Sequence, residues 1–214
     1  MSVKPRTPEE TYERALQKAQ LAFPALKPQD AAARAGVTYH LRAAQEGEFQ
    51  ISFFGRGYRV LWPDGAVRGA DPLKETDIAT RILLLHYLLT ADGIPLADRW
   101  IAFRNLPGGL GYDAAFQGRA NLRLARVFGT DRAAFEAAAH AMGGERLSFG
   151  DASFAFPILP RVWLAVVLYL ADEEFPASAN VLFDAAVSHY LPTEDLAVLG
   201  GMLAGRLTKA AQAR

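Results

Sequence analysis

Three groups of residues have the types and spacing that chemistry needs. The first is Phe103-Arg104-Asn105-Leu106-Pro107-Gly108-Gly109-Leu110-Gly111-Tyr112. Glycines between a strand and a helix can turn backbone N–H groups toward an anion, and Arg104 and Arg119 would add positive charge. The stretch lacks the Gly-Lys-Ser/Thr of a P-loop, and the third glycine and distal acid of a dinucleotide fingerprint. Its structural alternative is a tight turn that needs positive φ and close backbone packing. Arg104, Gly108, Gly109, Tyr112 and Arg119 enter as candidate ligand-binding positions.

The second group is acidic. Asp172, Glu173 and Glu174 follow an apolar strand-like run, and Asp184 lies downstream. Carboxylates of this kind suit hard cations such as Mg²⁺ or Ca²⁺. Three consecutive side chains, however, cannot all aim at one ion without a contorted loop, so no metal site is assigned. The alternative is a solvated turn in which one acid caps the next element or pairs with an arginine. An enzymatic reading would use Asp172, Glu173 and Asp184 as acids, with Arg104 or Arg119 orienting an anionic substrate. It requires at least two of those acids and an arginine to converge in one cleft.

The third group is the four histidines, His40, His86, His140 and His189. None belongs to a His-x-x-x-His or His-Glu-x-x-His pair, and nothing in their spacing selects one as an axial ligand for a tetrapyrrole. On the helix expected over residues 178–190, Asp184 and Ser188 share a face whereas Asp184 and His189 do not. A serine without an adjacent base is not an activated nucleophile, and no Gly-x-Ser-x-Gly elbow is present. No catalytic residue is assigned. Phe53, Tyr58, Trp62, Phe103, Tyr112, Phe116 and Trp163 could line an apolar pocket, but core packing explains them more simply.

These residues must be carried by a folded scaffold, and the composition supports one. The 214 residues are 51% hydrophobic and 21% charged, ordinary for a globular chain. Lys plus Arg equals Asp plus Glu at 23 each. There is thus no basic excess of the kind nucleic-acid binding usually shows. Zero cysteines exclude disulfides, thiolate nucleophiles and Cys-ligated zinc or iron–sulfur centres. Residues 1–10 are polar, with no apolar run behind them, so no signal peptide is expected. The apolar run 162–171 is too short to cross a bilayer as a helix. The expected location is the cytoplasm, with no membrane partner.

Thr7-Pro8-Glu9-Glu10 reads as a capped helix start, followed by a short helix over 28–35 that Gly36 ends. From Val37 the apolar period changes to two, giving an antiparallel meander of three or four strands through Arg68. A buried helix is expected over 78–91, a short strand over 99–103, and helices over 112–128 and 131–142. Strands follow over 145–149, 152–156 and 162–170. Helices over 178–190 and from Thr193 to about Lys209 close the chain. Segregated strand and helix groups predict an α+β fold: antiparallel sheets from an N-terminal meander and a C-terminal strand group, packed by about five helices. One domain over 1–214 is expected, with disorder only at the two ends.

Several stretches together resemble a prokaryotic family catalogued as domain of unknown function 3786. They are Ile82-Leu83-Leu84-Leu85-His86-Tyr87-Leu88-Leu89, Trp100-Ile101-Ala102-Phe103-Arg104-Asn105-Leu106-Pro107-Gly108-Gly109, then Tyr112, Phe116 and Arg119. Phe156-Pro157-Ile158-Leu159-Pro160-Arg161, Asp172-Glu173-Glu174-Phe175-Pro176-Ala177, Leu182-Phe183-Asp184 and Tyr190-Leu191-Pro192 complete the pattern, which covers roughly residues 10–207. Some relatives join this domain to a cysteine-rich segment similar to that of the corrinoid iron–sulfur protein of anaerobic one-carbon metabolism. Without cysteines, this chain could inherit that association only through a ligand or a partner. The resulting expectation is a non-enzymatic small-ligand-binding or accessory module, for an anionic or tetrapyrrole-like molecule. A protein-interaction or assembly subunit ranks second and an enzyme third.

Overall fold

The computed structural model describes residues 7–71 and 73–212. The ends expected to be disordered, residues 1–6 and 213–214, lie outside the described residues. The chain forms two compact units, one of residues 1–94 with 189–191, the other of residues 95–188 with 192–214.

In the first unit, helix α1 (Pro8–Ala22) starts on the expected capping box. Thr7 Oγ1 accepts from the Glu10 N–H at 3.2 Å, and Glu10 Oε2 accepts from the Thr7 N–H at 2.9 Å. Helix α2 (Pro28–Ala35) stops at Gly36, whose φ of 65° supplies a left-handed cap. Four strands follow: β1 (Thr38–Ala43), β2 (Glu46–Phe53), β3 (Arg56–Trp62) and β4 (Val67–Gly69). They form an antiparallel sheet in the order β1-β2-β3-β4. Alternation sends Phe49, Ile51, Phe53 and Val60 to one face, where all are buried. Phe23 meets Phe49 there edge-on, with ring centroids 5.8 Å apart. Helix α3 (Ile78–Thr90), with the Asp77 carboxylate capping the Thr80 N–H, is apolar nearly all round and correspondingly buried. Its Tyr87 hydroxyl donates to the Ala35 carbonyl, tying α3 to the end of α2.

The second unit has a five-stranded antiparallel sheet in the order β5-β9-β8-β7-β6. Its strands are β5 (Trp100–Ala102), β6 (Glu145–Leu147), β7 (Ala152–Leu159), β8 (Val162–Tyr169) and β9 (Ser178–Asp184). The helical stretch 113–128 comprises α4 (Asp113–Phe116), a π segment (Gln117–Asn121) and α5 (Leu122–Phe128). Helices α6 (Arg132–Ala141) and α7 (Thr193–Gln212) complete the unit. Phe128, Phe135 and Phe154 meet edge-on at 5.4 and 5.7 Å. The α+β class with two antiparallel sheets is therefore as expected.

One element differs from expectation. Residues 178–190 form strand β9 and a single 3-10 turn (Val187–His189) rather than a helix. Ala179, Val181 and Phe183 are buried in alternation, the period of a strand. Alanines at 177, 179, 185 and 186 favour a helix locally. Pairing with β8 on one edge and β5 on the other overrides that preference. The helical face that would have joined Asp184 to Ser188 does not exist.

Candidate functional site

Backbone geometry accounts for two glycines of the loop, Gly108 and Gly109. Gly108 has φ of 74°, where a Cβ is strained. A Cβ on Gly109 would lie 2.1 Å from the Phe103 carbonyl oxygen. Phe103 itself stacks on Phe116 at 4.3 Å within the core. Tyr112 and Arg119 are exposed, and Arg104 Nε approaches Asp113 Oδ2 only at 4.0 Å.

The acids are similarly occupied. Asp172 Oδ1 accepts from the N–H groups of Glu174 (2.9 Å) and Phe175 (2.7 Å), closing its own loop. Glu173 beside it is exposed. Asp184 is 2% exposed, and its Oδ1 accepts from the N–H groups of Ala97 (3.0 Å) and Ala186 (2.9 Å). The loop carrying Asp172 and Glu173 enters β9 at Ser178, whereas Asp184 is the last residue of that strand. At about 3.3 Å per residue, the length of β9 alone spans about 20 Å. Asp184 is not brought together with the other two acids. The histidines are dispersed too: His40 is on β1, His86 on α3, His140 against Phe154, and His189 against Asp92. Among the described residues, no group of three or more His, Cys, Asp or Glu is placed to hold a metal ion. No described helix is long and apolar enough to cross a membrane.

A different cluster converges on the four-stranded sheet, on the face opposite Phe49 and Ile51. The register Thr38↔Gln50, Gln50↔Arg59 and Arg59↔Arg68 lays a hydroxyl, an amide and two guanidinium groups in one row across all four strands. Directly opposed residues have Cβ atoms about 5 Å apart, and like charges there repel. Arg59 is half-buried, and neither arginine has an ion-pair partner among the described residues.

The acids that line the same cleft as these arginines pair with other groups. Asp71 accepts from the Leu73 N–H at 3.0 Å and faces Lys74 at 3.9 Å, while Glu75 pairs with Arg81 at 3.6 Å. Buried Glu48, one row along, lies 2.6 Å from Arg42 Nη2, a close ion pair without hydrogen-bond alignment.

Arg59 lines two clefts. One, of about 470 Å³, is lined by Thr38, Gln50, Ser52 and Gly57 among others. The other, of about 400 Å³, is bordered by Arg68, Lys74 and Thr76 and also by the carboxylates of Asp71 and Glu75. Gly57 has open space where a Cβ would stand, which leaves the floor between Ser52 and Arg59 clear. Volumes of this size suit small molecules. Two guanidinium groups without an ion-pair partner among the described residues, beside hydroxyl and amide groups, suit a phosphate or carboxylate.

The signal for this site lay in register rather than in any motif. Alternation predicts a meander that runs through Arg68, but not which of its residues face each other.

The sequence profile of the family described as Domain of unknown function (DUF3786) matches residues 27–206. No curated protein and no solved structure matches the chain.

Proposed function

The chain belongs to the family described as Domain of unknown function (DUF3786), and from that premise we propose that it is a non-enzymatic module binding a small anionic molecule across Arg59 and Arg68. The observation that carries this reading is the pair itself. Two guanidinium groups directly opposed on one sheet face, neither in an ion pair among the described residues, while Asp71 and Glu75 of the same cleft pair with Lys74 and Arg81, make a site that an anion would complete. The hydroxyl and amide groups of Thr38, Gln50 and Ser52 offer neutral hydrogen bonds to the rest of such a ligand.

The corrinoid and one-carbon setting of some relatives belongs to this reading as a candidate ligand class, since a corrinoid with its nucleotide carries a phosphate. The test is calorimetric titration of the full chain with inorganic phosphate, glycerol phosphate, acetate, cobalamin and heme. Saturable binding of the phosphate compounds, lost in Arg59→Gln/Arg68→Gln, is the expected result. Binding of none of them, or unchanged binding by the double variant, would remove the reading. Cobalamin or heme held equally well by the double variant would place that ligand elsewhere.

A further inference from the structure

The cleft of about 470 Å³ beside Arg59 has a relief set by strand register. Gln50 on β2 opposes Arg59 on β3, and Arg68 on β4 continues their row. Two residues further along the same face Ser52 opposes Gly57, and Ala70 follows the last residue of β4. Long side chains thus stand in one row and small ones in the next, since alternate residues of a strand share a face. Ser52, Gly57 and Ala70 all line the cleft and are exposed. They make its low floor, and Gln50 and Arg59 make a wall along one side. A Cβ on Gly57 would meet nothing within 4 Å, so a side chain there would project into the cleft.

The chemistry of the lining narrows what can rest there. Among the described residues lining this cleft, Arg59 alone is charged. Ile51 and Tyr58 belong by alternation to the other face, where Ile51 is buried and the Tyr58 ring lies 6.0 Å from that of Phe53. The lining residues of the open face therefore offer no aromatic ring to stack a base and no long aliphatic chain to seat an acyl group. Thr38, Gln50 and Ser52 remain, and each can both donate and accept hydrogen bonds. None of these three side chains has a hydrogen-bond partner among the described residues. With neighbouring strands about 4.8 Å apart, Gln50 stands about 5 Å and Thr38 about 10 Å from the Arg59 position, the reach of a small sugar.

We propose that the ligand of this site is a phosphomonoester of a small polyhydroxylated compound, a sugar or polyol phosphate. The inference rests on the anion reading of Arg59 and Arg68 and narrows it. The phosphate lies against the two guanidinium groups, and the hydroxylated body lies on the floor of Ser52, Gly57 and Ala70. Gln50, Ser52 and Thr38 exchange hydrogen bonds with its hydroxyls. In the other direction along the strands, the next row pairs Leu61 with the buried carboxylate of Glu48. That row offers an apolar group and a charge of the wrong sign for a phosphate, so the body has one side of the wall on which to lie.

The experiment is calorimetric titration of the full chain with inorganic phosphate, glucose-6-phosphate, glucose and butyl phosphate, on wild type, Gly57→Val and Gln50→Ala. Glucose-6-phosphate is expected to bind about tenfold more tightly than inorganic phosphate, or better, the worth of one or two net hydrogen bonds. Butyl phosphate, whose body carries no hydroxyl, is expected to gain nothing, and glucose without the anion to show no measurable binding. Gly57→Val fills the floor at a strand position that suits a β-branched residue. It is expected to abolish the advantage of glucose-6-phosphate while inorganic phosphate binds as before. Gln50→Ala is expected to reduce that advantage, and circular dichroism checks that both variants keep the fold. Inorganic phosphate bound with no advantage for glucose-6-phosphate overturns this inference and leaves the anion reading standing. An equal gain from butyl phosphate, or an advantage that both variants keep in full, overturns it as well. Binding of no phosphate compound removes both readings.

Discussion

Arg59 occupies a position where its charge opposes folding, since Arg68 faces it directly across the ladder. Replacing Arg59 by Gln should leave stability unchanged or raise it by up to about 0.5 kcal/mol. Phosphate affinity should fall by about tenfold or more, as befits loss of a charged hydrogen-bonding arm. Urea denaturation and calorimetry on the same sample read the two effects, and a joint loss of stability and affinity would mark a merely structural arginine. Asp184 is the reverse case. Its carboxylate serves the N–H groups of Ala97 and Ala186, so Asp184→Ala leaves a buried donor without a partner. The expected cost is about 1–3 kcal/mol in urea denaturation, with phosphate binding intact.

Asp92 is the residue whose titration carries a sign. Burial acts to raise its carboxyl, but the Ile94 N–H and the His189 ring, 2.5 Å away, more than offset that and hold it below its ordinary value of 3.8. A carboxyl lowered in the native state contributes stability that is whole above the ordinary value and lost as pH falls through the native one. Carboxyl NMR titration should show the Asp92 midpoint rising toward 3.8 in His189→Gln; an unmoved midpoint would remove His189 as a cause.

Strand β9 takes one of its backbone hydrogen bonds from a side chain outside the sheet. β5 pairs with it only as far as Leu182, and beyond that point Asn121 Oδ1 accepts the Val181 N–H at 2.9 Å. Asn121 Nδ2 in turn donates to Gln117 Oε1 at 2.8 Å, and the two residues are the ends of the π segment. Widened helical turns of this sort re-aim one residue relative to the rest of the helix, and here that residue completes a sheet ladder. Asn121→Ala should cost about 1–3 kcal/mol by leaving the buried Val181 N–H unpaired. Amide exchange at Val181 should accelerate more than at Val166 across the ladder; equal acceleration would speak against a local role for Asn121.

The same element shows what the sequence could and could not reveal. The capping box at Thr7, the stop at Gly36 and the alternation of Phe49, Ile51 and Phe53 depend on neighbouring residues, so they were readable. Strand β9 depends on partners that precede it by up to about eighty positions in the chain, and its local alanines point the wrong way. At Gly108 and Gly109 a glycine signal is plain in the sequence, and the structure supplies a positive φ at one and a packed Phe103 carbonyl at the other. Arg59 and Arg68 carry no such signal, because alternation assigns a strand residue to a face without naming its opposite number.

At the scale of the whole chain, equal numbers of cationic and acidic residues conceal local fields of opposite sign. A balanced total gives no long-range steering, so any anion selectivity must come from groups at contact distance. Binding at such a site has a global consequence, because a ligand that recognises only the folded form stabilises it. At one hundred times its dissociation constant the gain is about 2.7 kcal/mol. That gain should appear as added hydrogen-exchange protection in the unit that contains the site, strongest for amides of β2, β3 and β4 that open only with the unit. Saturating phosphate should slow exchange there, and raising the chloride concentration at fixed phosphate should weaken the effect through screening of the exposed arginine. Exchange is the discriminating readout because nonspecific salt effects alter protection throughout a protein, whereas a bound anion acts through the Arg59–Arg68 row. Uniform slowing across residues 7–212, or slowing that persists in Arg59→Gln/Arg68→Gln, would show that phosphate acts as a general salt and that the row binds nothing.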